Sequence, residues 1–549
     1  MSALRQLLGR SMHMVNKKRY IGRKTYWFTF FGLMILKYGY YGFAYFPILD
    51  DWIQYGGYRL YDDIFNDVVI RTKLYTVRPL ANLSDPYIWG RFWGAMGIVF
   101  FIITFMHAAS AYLICKVLED NDIPVGMPFL IIFGLLPLGT EATYWISAST
   151  RIVVGIFMMA LSLYFLNLSV KKNSISQLIA FFFTNLLSMG YYEQVTVLSF
   201  FCALLLMAAN WNILRRKWSV ILPFINLLAI GTYYKIFSHV GNSAVRGQMV
   251  KSDYIAHTLK VLDEITNVFG QAHIPLYLNG FPRGMRTVLS NGSYLFLVLF
   301  FAFSLMAALI AYDKQDDVSP KGAVVKILLG FVLFWVPFGP NFILELVWIC
   351  NRNAFTSFIG LGIMADGLVD LFLRKKTGAI IRGAGVLVAA FVFLVVNVSE
   401  LTDYKNVSKA DHLLASNILN AVKDEGFLEG SKKAILFNIR SSYIEQNAYY
   451  RDHIHNISDS DWALTGGVRA VAKNVNIQYI QPVRDGGLIA VKAEDLMNSI
   501  LLGVDKDLSV FSLKPELQED GSIMLLTEEN IKFGTVHPGE NQKYMFKKD

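Results

Sequence analysis

Long apolar runs recur through most of this chain, and a run of about 18 or more apolar residues has few stable fates outside a bilayer. They fall at 26–46, 92–115, 123–139, 150–169, 176–191, 195–211, 218–237, 292–312, 322–338, 354–372 and 379–398, which gives eleven expected spans. The fold class that follows is a polytopic α-helical membrane protein. The composition agrees: 54% of the residues are hydrophobic, 14% are aromatic, and mean hydropathy is +0.40. The third run holds Pro124, Pro128 and Pro137, and the fifth is also short, so broken or re-entrant helices are expected there.

The net charge of +9 does not indicate a nucleic-acid partner, because the basic residues sit in short segments between apolar runs. Arg19, Arg23 and Lys24 precede the first span, Lys171 and Lys172 follow the fourth, and "RRK" at 215–217 and "RKK" at 374–376 follow the sixth and tenth. All fall on one side, which places the basic N-terminus, 1–25, in the cytoplasm and makes the first span uncleaved. The other side then receives 47–91, the turns near 140–150 and 191–194, a long loop at 238–291, and "GPNFILELVWICNRNA". An odd span count also sends 399–549 outward. Cys115, Cys202 and Cys350 lack paired spacing, so neither a disulfide framework nor a cysteine metal site is expected. Sparse cysteine and no retention signal favour a bacterial plasma membrane.

Composition changes after 398, where a soluble extracytoplasmic α/β or α+β domain is expected. "ADHLLASNILNAVKDEG" carries Leu413, Leu414, Ile418, Leu419 and Val422 on one helical stripe, with Gly426 as its C-cap. Strands are expected at "AILFNI", "VNIQYI", "LSVFSL" and "SIMLL".

The polar groups that bear chemistry gather on the outer side. Asp50 and Asp51 stand where the chain leaves the first span, in "YFPILDDWIQYGGY". Adjacent carboxylates repel at an interface poor in water and are usually kept for chemistry or for a cation. Asp62, Asp63, Asp67 and Asp85 follow among aromatics and read as solvated carboxylates in an interfacial belt. Arg78, Arg151 and Arg352 lie at matching depth, and a cluster of planar guanidinium forks suits a phosphate. Glu141 and Glu193, at outer span ends, read as partners for those arginines. Lys235 and His239, with Arg246, Arg283 and Arg286, are weaker candidates for contact with a phosphate or an acceptor. "DHIH" at 452–455 reads as exposed histidines and not as a metal site. The chain has no "GxxxxGK[ST]", "HExxH" or "GxSxG", which excludes the usual nucleotide-driven pump, zinc protease and serine hydrolase signatures.

This layout, with "ILDDW" opening the first outer loop, many further spans and an outer C-terminal domain, resembles the GT-C integral membrane glycosyltransferases. Within them it is similar to bacterial enzymes, including the Gtr-type, that decorate surface polysaccharide from a polyprenyl-phosphate sugar. The resemblance implies transfer of a sugar to a cell-surface glycan or glycolipid on the extracytoplasmic face. It gives the role of general base to Asp50 or Asp51 and donor-phosphate binding to Arg78, Arg151 and Arg352, with Glu141, Glu193, Lys235 and His239 in support. No cofactor is expected: the acidic pair could hold Mg²⁺ or Mn²⁺, but no further acidic cluster completes a shell. Two rivals remain, a transporter or flippase of lipid-linked sugars and an acyl or phosphoglycerol transferase using His107.

Overall fold

In the computed structural model every one of the eleven apolar runs falls on a helix, as expected where the backbone must satisfy its own hydrogen bonds. The structure describes residues 22–211, 217–237, 240, 248–251, 253–313, 319–373, 376–422, 424–440, 443, 454–489, 493–539 and 543–548. The helices are α1 (Arg23–Gly39), α2 (Pro79–Tyr87), α3 (Met96–Glu119), α4 (Met127–Leu135), α5 (Ile146–Lys172), α6 (Ile175–Met189), α7 (Glu193–Ala209) and α8 (Leu222–Ile236). They continue with α9 (Tyr254–Thr266), α10 (His273–Ser290), α11 (Tyr294–Asp313), α12 (Pro320–Trp335), α13 (Phe358–Phe372) and α14 (Lys376–Ala421).

Seven helices among the described residues are long and apolar enough to cross a membrane, and not the eleven expected. These are Trp89–Glu119, Ile146–Lys172, Trp218–Ile236, Tyr294–Asp313, Pro320–Ile343, Asn351–Phe372 and Thr377–Ala421. Helix α1 has 17 residues, and Met127–Thr143, Ile175–Met189 and Glu193–Ala209 are apolar but shorter. Phe101, Phe105, Phe183, Leu228, Leu295 and Phe301 point outward while a large apolar cluster fills the interior. Apolar surface on both sides of the helices is the pattern of a polytopic membrane protein.

Helix α4 departs most from a simple span. It is nine residues long, and all but Ile132 are buried. After Leu135 the chain breaks at Leu136 and turns through Pro137–Gly139 into a single helical turn, Thr140–Thr143. Proline cannot donate and cannot continue a helix, so the break leaves carbonyls unbonded in an apolar interior. Each of three consecutive carbonyls is met from a different helix. His107 Nε2 lies 3.0 Å from Phe133 O, Lys37 Nζ donates to Gly134 O at 3.1 Å, and Asn397 Nδ2 donates to Leu135 O at 3.1 Å. At the other end Asp366 Oδ1 accepts the Gly126 amide at 2.9 Å, while its Oδ2 and the Asp370 carboxylate hold the buried Lys326 ammonium at 2.8 and 2.6 Å.

Two expectations for the connecting segments change. The loop at 238–291 contains helices α9 and α10, and α10 packs along α14, where the Arg283 guanidinium pairs with Asp403 at 2.5 Å. The segment at 47–91 is largely helical turns, including a wide turn at Trp52–Gly57. Pairs at the far ends of the helices include Arg23 with Glu119 and Lys171 with Asp120, which puts those basic residues at one end of the bundle.

No break marks residue 399. Helix α14 runs 46 residues from the bundle into the C-terminal domain, whose core takes Leu414, Ala415 and Ile418 from it. The helix stops at Ala421, so Gly426 is not its cap; Gly426 lies in the short α15 (Glu425–Glu429), and Gly430, at φ 77°, closes that helix. Next come α16 (Asp461–Ala472) and α17 (Ala493–Met497). The strands are β1 (Ala434–Phe437), β2 (Ile480–Val483), β3 (Leu488–Ile489), β4 (Ile500–Val504), β5 (Val510–Leu517), β6 (Ile523–Leu526), β7 (Lys532–Pro538) and β8 (Tyr544–Lys548), in the order β2-β1-β4-β5-β6-β7-β8-β3. Strand β1 is buried on both faces between parallel neighbours: Leu436 packs toward α14 and α16, and Ile435 and Phe437 toward the opposite cluster.

The caps on α4 generate a stability prediction. Asn397→Leu keeps the side-chain shape but strips the donor from Leu135 O and the acceptor from Thr140 Oγ1. It is expected to destabilise the protein by about 1–3 kcal/mol per orphaned group, read as a lower unfolding midpoint in nanodiscs. An unchanged midpoint would remove this cap from the account.

Candidate functional site

A cavity of about 810 Å³ opens at the end of the bundle opposite the Arg23 and Lys171 pairs. Its wall includes Asp50, Arg78, Glu141, Arg151, Glu193 and Arg352, so six of the residues singled out in the sequence share one space. Different constraints put them there. The break after α4 swings Glu141 and Trp145 to the wall, and Arg151 stands one turn into α5. Arg78 precedes Pro79 at the start of α2 with φ 50°, a left-handed conformation that costs a non-glycine residue of order 1–3 kcal/mol.

Each arginine is anchored by one carboxylate. Arg78 Nε donates to both Glu193 oxygens at 3.0 and 2.9 Å, with its guanidinium 4.3 Å over the Tyr192 ring. Arg352 Nη1 donates to Glu141 Oε1 at 3.1 Å, its backbone amide to Oε2 at 3.1 Å, and the guanidinium lies 5.1 Å over Trp145. Arg151 Nη2 donates to Asp85 Oδ2 at 3.0 Å. Asp85 is therefore not a solvated member of an aromatic belt: it is buried and also accepts from Tyr55 and Thr150. Burial raises its carboxyl, and Arg151 opposes the rise. Asp62 and Asp63 are exposed, as expected of the belt.

These anchors use only part of each fork. Among the described residues, Arg78 keeps both Nη groups without a hydrogen-bond partner, Arg352 keeps Nε and Nη2, and Arg151 keeps Nη1 and a buried Nε. The carboxylates outnumber the guanidinium groups, with Arg78, Arg151 and Arg352 set against Asp50, Asp85, Glu141, Glu193 and Asp459. What the cavity offers an anion is therefore directed N–H donors and not a general positive field.

The acidic pair divides. Asp51 is fully buried and takes hydrogen bonds from the Tyr45 hydroxyl, from Ile48 N at 3.1 Å and from Ser147 N at 3.1 Å, so it ties the loop to the start of α5. Asp50 is partly exposed, lines the cavity, and accepts from Trp462 Nε1 at 2.8 Å. The two carboxylates thus face different partners and do not form one cradle. Asp50 also lies close enough to Arg151 and Arg352 for its charge to act on both.

Trp462 comes from the C-terminal domain, which the sequence left without a role. Helix α16 lies flush on the Trp52–Gly57 turn because both sides carry glycine: a Cβ on Gly466 would meet the Ile53 Cβ at 2.5 Å, and one on Gly56 would meet the Ala470 Cβ at 2.9 Å. Trp52 enters the domain's own core. His455 and Asp459 join the cavity wall on a segment held by the buried Asp411, which accepts from Asn456 Nδ2 at 2.8 Å and Ile457 N at 3.0 Å. Asp452 and His453 of "DHIH" lie outside the described residues, as do His239 and Arg246.

The remaining candidates stand apart. Lys235 is exposed at the end of α8 and is not part of the described wall, Arg283 is held by Asp403, and Arg286 is exposed on α10. His107 is engaged with Phe133 O, wedged between the Phe133 and Phe355 rings, and away from the cavity. The feature an acyltransferase reading relied on is thus a helix cap. No protein-family model matches the chain, and no curated protein matches its sequence.

Burial pushes the Asp51 carboxyl up from 3.8 to about 8, with the Asp50 charge adding to the rise and the three donors opposing it. The folded protein then holds a proton that the unfolded chain has already released. The associated stability is complete below about pH 4 and is lost as pH climbs through about 8. The unfolding midpoint of the wild type should therefore fall across that window relative to Asp51→Asn, which has no proton to lose. Parallel midpoints for the two proteins would contradict the assignment.

Proposed function

We propose that this chain is a membrane glycosyltransferase that moves a sugar from a polyprenyl-phosphate donor to a cell-surface glycan or glycolipid acceptor on the extracytoplasmic face. The observation that carries this reading is the single cavity in which Asp50 stands among three anchored guanidinium forks with donors to spare. The same wall has an apolar sector, Val268, Ala272, Leu344, Leu346, Trp348 and Ile349, which suits an amphiphile with a charged head and a long tail.

In this reading the apolar helices lie within a bacterial plasma membrane. The basic ends face the cytoplasm, and the cavity and C-terminal domain face outward. The donor phosphate rests on the unpaired donors of Arg78, Arg151 and Arg352. An acceptor hydroxyl oxygen attacks the anomeric carbon, the bond from that carbon to the phosphate oxygen breaks, and its electron pair leaves with the lipid phosphate. Asp50 takes the hydroxyl proton, while the guanidinium groups stabilise the charge that grows on the leaving phosphate. Asp51 is a positioning residue that sets the loop carrying Asp50. No metal is assigned a step.

Purified protein in nanodiscs, given polyprenyl-phosphate sugars and candidate acceptors, is expected to release polyprenyl phosphate. Asp50→Asn should slow release by about 10²–10⁴-fold, the usual worth of a general base. Donors left intact by the wild type, or an Asp50→Asn protein as fast as the wild type, would refute the proposal. Donor moved across a bilayer without being consumed would favour a flippase.

A further inference from the structure

Beyond the charged groups, three residues of the cavity wall carry neutral polar atoms that are buried and have no protein partner among the described residues. Gln194 Oε1, Asn341 Oδ1 and Trp145 Nε1 are each buried and, among the described residues, unbonded. The three side chains are 6%, 6% and 4% exposed, and all three line the cavity. A buried polar group left unpaired costs of order 1–3 kcal/mol, so three on residues of one cavity wall point to a polar ligand. Their chemistry differs from that of the arginines. Carboxamides both accept and donate, and an indole N–H donates, which is the set that reads hydroxyl groups and does little for a phosphate.

Their positions tie them to the phosphate-binding groups. Gln194 directly follows Glu193, the anchor of Arg78. Trp145 lies beneath the Arg352 guanidinium. Asn341 is held in the Gly339–Ile343 turn, where its backbone carbonyl meets His257 Nε2 at 2.9 Å.

We infer that Gln194, Asn341 and Trp145 form a hydroxyl-reading subsite for the hexose carried on the lipid phosphate, and so determine which donor sugar the protein accepts. This inference rests on the lipid-phosphate reading above, and it extends that reading from the phosphate to the sugar. A site that hydrogen-bonds a hydroxyl discriminates strongly against a ligand lacking it, because its own buried groups are then left unpaired.

The test is a binding comparison in nanodiscs with three kinds of probe: farnesyl phosphate, farnesyl-phosphoryl hexoses of different stereochemistry, and methyl hexosides. One farnesyl-phosphoryl hexose should bind wild type more tightly than farnesyl phosphate does. Gln194→Ala and Asn341→Ala should each weaken that hexose by about five- to tenfold, the size of one neutral hydrogen bond, with farnesyl phosphate unchanged. Arg352→Gln should weaken farnesyl phosphate and the hexose conjugates together. Variants that keep the full hexose advantage, or that lose farnesyl phosphate to the same extent, overturn the subsite. Wild type that fails to bind farnesyl phosphate overturns the lipid-phosphate reading; in that case methyl hexoside binding that weakens in the Gln194 and Asn341 variants still supports a hydroxyl-reading subsite, and its persistence in them refutes one. Unfolding midpoints equal to wild type establish that each variant is folded.

Discussion

A nine-residue helix buried end to end inside the bundle has to find partners for backbone groups that neither water nor a further helical turn can satisfy. The chain meets that requirement with side chains from four other helices. Lys37, His107 and Asn397 bond the three carbonyls freed at Leu136, and Asp366 takes the amide at the opposite end. Because α1, α3, α13 and α14 each give a polar side chain to α4, their relative positions are fixed by hydrogen bonds as well as by apolar packing. The break itself carries Glu141 and Trp145 to the cavity, where Glu141 anchors Arg352. The interior helix and the cavity are in this sense one construction.

The second constraint is the continuity of α14. One helix passes without interruption from the bundle into the C-terminal domain, so the domain cannot swing freely about the membrane part. The close approach of Gly466 to Ile53 then seats α16 on the first loop, and Trp462 reaches Asp50. The Asp50 carboxylate on the cavity wall accepts an indole N–H from the domain, and the buried Asp51 beside it ties the loop that carries both to the start of α5. The domain is thereby a wall of the site.

The parts legible in the sequence were those set by local composition. All eleven apolar runs lie on helices because span length and hydropathy are local properties, and Pro137 announced the break. Fewer than eleven helices among the described residues are long enough to cross, because helix length depends on where proline and packing end each helix. The pairing of Glu141 and Glu193 with arginines was also legible, since buried charges seek partners. The caps on α4 were not, because Lys37, His107 and Asn397 lie far from 133–135 in sequence and each looks like an isolated outlier in an apolar run. Asp85 was misread for the same reason: nothing local reveals that Arg151 comes to it. The difference between Asp50 and Asp51 depends on Ser147 and Trp462, residues roughly a hundred and several hundred positions away. Gln194 and Asn341 gave no signal at all, because a carboxamide near a span end is common and only the cavity makes it distinctive.

The central claim is that this cavity seats a lipid phosphate on Arg78, Arg151 and Arg352. The most direct measurement is a cryo-electron-microscopy map of the protein in nanodiscs with undecaprenyl phosphate. The account predicts phosphate density within hydrogen-bonding distance of the unpaired fork donors of these arginines, with the chain of the lipid leaving past Leu346 and Trp348. Phosphate density elsewhere, with the three arginines holding only their carboxylates, would contradict it.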